Sequence, residues 1–266
     1  DNSVLNVNET AQISVSGKLL DGTSVNTENT TVTYASSNSN ILTVDESGKV
    51  TAKADGTAYV TVTAAAKDTK TVRLLFAVGS NEEAGLYRVA SPDGSREAVV
   101  CLADDEKLYY AEVVNGKTGI GFSMLGLETG VGDFSSGLKL VEAPAQTLID
   151  EEYTLTARTK SEYRNYANER NFVFSKDGSA DGATMTVTFR AYNDGIAFRY
   201  TVKSADNANF NVNAEKTEIS MNPDSTVWAM NYIDTQEGLF EEHELSRMAG
   251  SYNMPMIVKN PRTGLY

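Results

Sequence analysis

Thr184-Met-Thr-Val-Thr-Phe-Arg-Ala-Tyr-Asn-Asp-Gly-Ile-Ala-Phe-Arg-Tyr-Thr-Val202 decides the fold class. Met185, Val187, Phe189 and Ala191 fall on one side of an extended chain, with Thr184, Thr186, Thr188 and Arg190 on the other. After Asn193-Asp194-Gly195 the period of two resumes, with Ile196, Phe198, Tyr200 and Val202 in the apolar phase. Successive strand residues point to opposite faces, so each run is a strand with one buried side. Two such runs around Asn-Asp-Gly predict a hairpin, with Gly195 available for a positive φ.

Outward from this hairpin the same material continues. Strands are predicted at 86–90, 97–102, 108–114, 117–122, 171–175, 212–221 and 256–259, with Asp93-Gly94, Asn115-Gly116 and Asp177-Gly178 as turns. Helical spacing is scarce; its best candidate, Phe240–Met248, has only Phe240, Leu245 and Met248 as apolar positions. The pattern predicts a large antiparallel sandwich and lacks the strand–helix alternation of an α/β barrel. Residues 1–80 read as a smaller sandwich, from the alternation in Gln12–Ser16, Thr31–Tyr34 and Thr57–Thr63 and the turn pairs Asp21-Gly22, Ser47-Gly48 and Asp55-Gly56. Those 80 residues hold no Pro and three aromatics, whereas 81–266 hold all five Pro and the other twenty aromatics. The boundary is placed at Gly79–Gly85, giving domains 1–80 and 81–266.

Composition removes whole classes of function. The 266 residues carry 36 acidic and 23 basic side chains, a formal charge of −13, most of it on the larger domain. No basic patch offsets phosphate repulsion, so nucleic acid and anionic membrane surfaces are not expected as partners. No apolar run, Leu74–Val78 among them, approaches the roughly 20 residues of a membrane helix. One Cys and one His exclude an internal disulfide, a Cys/His zinc site and any triad that does not use His243.

Two resemblances follow from particular residues. Thr33–Asn38, Ile41–Asp45, Gly48–Ala52 and Gly56–Val62, in that order, resemble the bacterial immunoglobulin-like group 2 domain. Such domains serve as spacers or adhesive modules on exported chains, and spacer is the reading adopted. Val89-Ala-Ser-Pro-Asp-Gly94, Leu108-Tyr-Tyr110, Ser123–Leu127, Asn165–Glu169 and above all Phe189-Arg-Ala-Tyr-Asn-Asp-Gly-Ile-Ala-Phe-Arg-Tyr200 resemble the N-terminal domain of glycoside hydrolase family 97. That resemblance implies an all-β chain, a small immunoglobulin-like sandwich followed by a large antiparallel sandwich of the galactose-mutarotase type. It further implies a neighbouring catalytic (β/α)8 barrel in the same polypeptide, hydrolysis of α-glucosides or α-galactosides, and an active-site calcium.

Glycoside hydrolysis needs two carboxyl groups flanking the bond. Asp104-Asp105-Glu106 and Asp150-Glu151-Glu152 read as solvated surface, and the resemblance puts the catalytic carboxylates in the barrel. No catalytic residue is therefore assigned here, and residues 1–266 are expected to be inactive alone. The segment from Trp228 to Met248 holds the only Trp and the only His, with Glu237, Glu241, Glu242 and Glu244. Because the resembling family takes one calcium-ligating Glu from its sandwich, Glu241 is the expected metal ligand and Glu242 the alternate. Calcium takes about six to eight oxygen ligands, so one carboxylate predicts no tight calcium binding by this chain alone. Trp228 is the candidate sugar-stacking residue, against a core or interface role. His243 reads as a surface residue, Cys101 as a small buried side chain, and Arg190 and Arg199 as polar-phase hairpin residues, Arg190 paired across the strands with acidic neighbours.

The chain thus reads as the non-catalytic front of a secreted glycoside hydrolase, extracellular, periplasmic or on the cell surface, whose substrate is an oligosaccharide or polysaccharide. The alternative is a stand-alone carbohydrate-binding or adhesion protein. Met256–Tyr266 reads as a strand, a turn and the start of another strand, so the larger domain is expected to be cut short there, since natural domains avoid a bare sheet edge.

Overall fold

The computed structural model describes residues 2–18, 24–25, 30–65, 68–157, 160–261 and 263–265. The predicted Asp21-Gly22 turn lies outside them. The hairpin forms as predicted, with Thr184–Tyr192 antiparallel to Ile196–Lys203 in a register running from Thr184↔Lys203 to Ala191↔Ile196. Met185, Val187, Phe189 and Ala191 are wholly buried. Tyr192 N–H donates to Gly195 O across the turn, and Gly195 stays out of the left-handed region. Asn193 instead anchors the turn, its Oδ1 accepting from Asp93 N–H at 3.2 Å.

The hairpin lies in a sheet ordered Lys139–Glu142, Glu162–Ser175, Thr184–Tyr192, Ile196–Lys203, with Thr147–Thr154 also paired to Glu162–Ser175. Facing it is a meander of Leu86–Ala90, Arg96–Leu102, Leu108–Val114 and Lys117–Leu125. Between the sheets sits an aromatic-rich core that includes Tyr87, Tyr110, Phe134, Phe172, Phe174 and Phe189. Residues 1–80 form a second sandwich. Val4–Leu5, Thr69–Val78, Gly56–Ala65 and Thr31–Ser36 make one sheet; Thr10–Gln12, Lys49–Ala52 and Leu42–Val44 make the other. Leu42, Val50, Ala58, Val60, Phe76 and Val78 fill the space between them. Asn115 and Gly116 both take positive φ, 49° and 77°, which is the geometry of a two-residue hairpin turn that Asn-Gly favours.

Several expectations are corrected. Phe240–Met248 is not helical: Glu241–Glu244 is a strand and Leu245–Arg247 a single 3-10 turn. Its three apolar side chains cannot cover a helix face, whereas the edge of a sheet offers ladder hydrogen bonds. The strand predicted at 171–175 begins at Glu162, because cross-strand pairing holds polar residues that show no apolar alternation. That predicted at 212–221 is only Val212–Glu215, and that at 256–259 starts at Tyr252. Asp150-Glu151-Glu152 is exposed as expected, within the edge strand Thr147–Thr154 where Arg164 grips Asp150 with two nitrogens at 2.6 and 2.8 Å, whereas Asp105 is half-buried. After Lys259 the chain closes into a turn, Asn260 N–H donating to Leu265 O, rather than starting another strand.

A third core joins the two sandwiches. Val4, Tyr59, Leu75 and Ala77 from the first pack against Leu86, Val99, Cys101, Ala103, Ala111 and Val113 from the second, all buried. One alternating strand therefore serves two cores. Ala58, Val60 and Val62 point into the small sandwich and Tyr59 into the joint; Ala98 and Val100 point into the large sandwich, Val99 and Cys101 into the joint. Polar contacts lock its edges: Arg88 Nε donates to Gly79 O at 3.0 Å, and Thr118 Oγ1 donates to Asn2 Oδ1. The connecting stretch is itself held, since buried Arg170 donates to both oxygens of Glu82 at 2.7 and 2.9 Å.

Candidate functional site

Trp228, Glu241 and Glu242 meet in a three-stranded sheet, ordered Glu241–Glu244, Thr226–Asn231, Tyr252–Lys259. Alternation in Thr226–Asn231 is plain once seen, since Val227 and Ala229 are wholly buried and Trp228 between them is half-buried. Residues directly opposite in a ladder share a face. Trp228 stands opposite Glu242 on one side and Ile257 on the other, so indole, carboxylate and isoleucine form one row. Glu241 pairs with Ala229 and so belongs to the other phase. The structure thus sets Glu242 beside Trp228 and separates Glu241 from it by one register step.

Neither glutamate has an ion-pair partner among the described residues, and both are exposed. No group of three or more His, Cys, Asp or Glu side chains able to hold a metal occurs among the described residues. His243 is not the surface residue expected. It stands opposite Val227, half-buried, its ring edge-on to Tyr252 at 5.4 Å and its Nε2 buried without a hydrogen bond.

The signal that sequence reading missed is apolar. Tyr232, Ile233, Leu239, Phe240, Met254 and Ile257, six of the fourteen exposed large hydrophobic residues among those described, belong to this sheet and its 232–240 connection. Leu239 is 84% exposed. Single exposed apolar residues are ordinary, whereas these six share one sheet and its connection. The pairing expected for Arg190 holds: its Nε donates to Glu169 Oε2 at 2.6 Å across directly opposed strand positions. Cys101 is buried in the joint, where desolvation pushes its thiol up to about 12.

Two β-sandwiches, the larger ending in a sheet with an apolar and acidic outer side, define an all-β protein with no catalytic centre assigned among its described residues. A family model described as "Glycosyl-hydrolase 97 N-terminal" matches residues 89–266, and the chain belongs to that family. A model described as "Intimin, immunoglobulin-like domain" matches residues 28–66. A retaining alpha-galactosidase of Bacteroides thetaiotaomicron is 29% identical over 114 residues, 43% of this chain and 16% of that protein. Among solved structures, a glycoside hydrolase family 97 enzyme from Pseudoalteromonas sp. strain K8, in complex with panose, aligns with TM-score 0.57 and 24% identity, over 66% of this chain and 27% of that one. A beta-arabinopyranosidase aligns with TM-score 0.59 and 24% identity, over 65% and 29%. The chain therefore spans less than a third of the length of these relatives.

Proposed function

We propose that this chain is the non-catalytic N-terminal portion of a secreted glycoside hydrolase acting on α-glucosides or α-galactosides, its larger sandwich buttressing a catalytic (β/α)8 barrel elsewhere in the same polypeptide. The observation that carries this reading is the outward side of the Trp228 sheet. It lies within the matched family region and presents Tyr232, Leu239, Phe240, Met254 and Ile257 to solvent. A covering domain would remove that surface from water, at roughly 25 cal/mol per Å² of apolar area. Residues 1–80 then serve as an immunoglobulin-like domain in front of residues 81–266, and the natural setting is outside the cytoplasm.

In this reading Trp228 packs at, or stacks on sugar within, the site formed with the barrel. Glu242 or Glu241 gives the single carboxylate that this chain contributes to a calcium ion. Glu242 is preferred now, because it shares the Trp228 face and Glu241 does not. A bound calcium would place positive charge beside the sugar oxygens. The chain's own residues act by position: the sheet fixes the carboxylate next to the indole, and the apolar connection excludes water from the contact.

Hydrolysis of aryl α-glucoside and α-galactoside tests the proposal. Residues 1–266 are expected to turn over neither, whereas the longer polypeptide of the natural reading frame turns over one of them. Turnover by residues 1–266 alone would overturn it, and a stop codon or cell-wall anchor directly after Tyr266 would favour the stand-alone binding protein.

A further inference from the structure

The joint between the two sandwiches leaves a cleft of about 1060 Å³, bounded on one side by residues of the first 80 and on the other by the larger sandwich. Ligand sites occupy clefts of roughly 300–1,000 Å³ lined by aromatic faces and a few convergent polar groups. Tyr59, Arg73, Asp105, Tyr109, Phe122 and Glu218 are among its walls. Because the joint core holds both walls with buried side chains, the cleft is preformed rather than assembled on binding.

Its polar chemistry is incomplete as it stands. Tyr109 Oη donates to Asp105 Oδ2 at 2.9 Å, but Asp105 Oδ1 is buried with no hydrogen-bond partner. Tyr59 is only 6% exposed, and its buried hydroxyl lies beside Tyr109 and Asp105 without a well-aligned hydrogen bond to either. Leaving a buried polar atom unpaired costs about 1–3 kcal/mol, so such atoms call for a partner. Burial raises the pKa of both tyrosines, Tyr109 to about 12, so each remains a neutral donor. Arg73 lies over the Tyr59 ring at 4.0 Å and has no carboxylate partner among the described residues. Tyr109 and Phe122 are half-buried on the cleft wall.

A ligand matched to these walls has apolar ring faces, many hydroxyls and no net charge. Aromatic rings take its C–H faces, and carboxylate, phenol and guanidinium take its hydroxyls. Arg73 and Lys117 line the cleft together with Asp105, Glu218 and Asp224, so charges of both signs are interspersed and no wall of a single sign awaits an anion or a cation. We propose that the cleft between the immunoglobulin-like domain and the larger sandwich is a binding site for a neutral oligosaccharide, separate from the Trp228 sheet. The choice of α-linked probes rests on the proposed function; the location of the site does not.

Calorimetric titration of residues 1–266 with maltotriose and with raffinose tests it, with amide chemical-shift mapping on the same samples. At least one sugar is expected to bind and to shift amides around Arg73, Asp105 and Phe122. Asp105→Asn, which keeps the side-chain shape, and Arg73→Ala, at an exposed position, are each expected to weaken binding about tenfold, the scale of a lost charged hydrogen bond. Trp228→Ala should leave this affinity unchanged. Absence of binding by either sugar overturns the proposal, as does binding that Trp228→Ala abolishes and the cleft variants do not. Either result leaves the barrel-buttressing reading to its own hydrolysis assay.

Discussion

Single side chains show how local chemistry is fixed by distant neighbours. Arg170 is buried and depends on Glu82 and on the carbonyls of Ala143 and Pro144. The guanidinium hydrogen bonds hold the Glu82 carboxyl below its ordinary range, against a smaller opposing effect of burial. A depressed carboxylate stabilises the fold above its unfolded pKa, and that contribution is lost as pH falls through the folded value. Glu82→Gln is therefore expected to lower stability at pH 7 by about 1–2 kcal/mol, less than a fully buried pair because Glu82 is half in water. The difference from the unaltered chain should shrink in acid, which denaturant melts at pH 7 and pH 3 would show. Cys101, with its thiol raised by burial, should resist aromatic disulfide reagents in the native chain and react only as fast as the joint opens. Stopped-flow labelling reads this directly; rapid native labelling would place Cys101 outside a closed joint. The burial of Cys101 was readable from its apolar phase beside Val99. The Arg170–Glu82 pair was not, because 88 residues separate the partners.

At the scale of elements, the strands that read most clearly are those with one wet and one dry face. Ile196–Lys203 has that form, and the apolar phase of both hairpin strands came directly from the alternation. Phe189→Ala should accordingly cost about 3–5 kcal/mol, measured by chemical denaturation, because it empties the middle of the aromatic core. Strands buried on both sides, such as Arg96–Leu102, lose that alternation, since Val99 and Cys101 face the joint while Ala98 and Val100 face the large sandwich. Edge strands fail for the opposite reason: Thr147–Thr154 is mostly exposed, so pairing rather than burial defines it. The 232–240 connection carries its own prediction. Leu239→Ser with Phe240→Ser should change the stability of residues 1–266 by no more than about 0.5 kcal/mol, as for ordinary surface substitutions. In the longer polypeptide the same change should lower activity severalfold, measured as kcat/KM on the aryl glycoside that it hydrolyses. A large loss of stability in the short chain would mean these residues are internal packing and not a contact surface.

For the whole molecule the decisive feature is that three cores, not two, hold it together. A spacer joined by a loose linker would unfold on its own. Here Leu75 and Ala77 pack on Val99 and Val113, so calorimetry should show one transition covering both sandwiches. Leu75→Ala, at about 2–4 kcal/mol, should lower that transition as a whole, and two well-separated transitions would contradict the coupling. Sequence alone determined the all-β class, the central hairpin with its faces, and the resemblance that led to the family. It did so because period-two alternation and turn dipeptides are local properties of the chain. Composition alone excluded an internal disulfide, because the chain has one cysteine. Only the tertiary structure decided that the two sandwiches share a core and enclose a cleft, and that Glu242 rather than Glu241 stands beside Trp228. Those facts depend on which faces meet across long sequence separations and on a register in which one step exchanges the two sides of a strand.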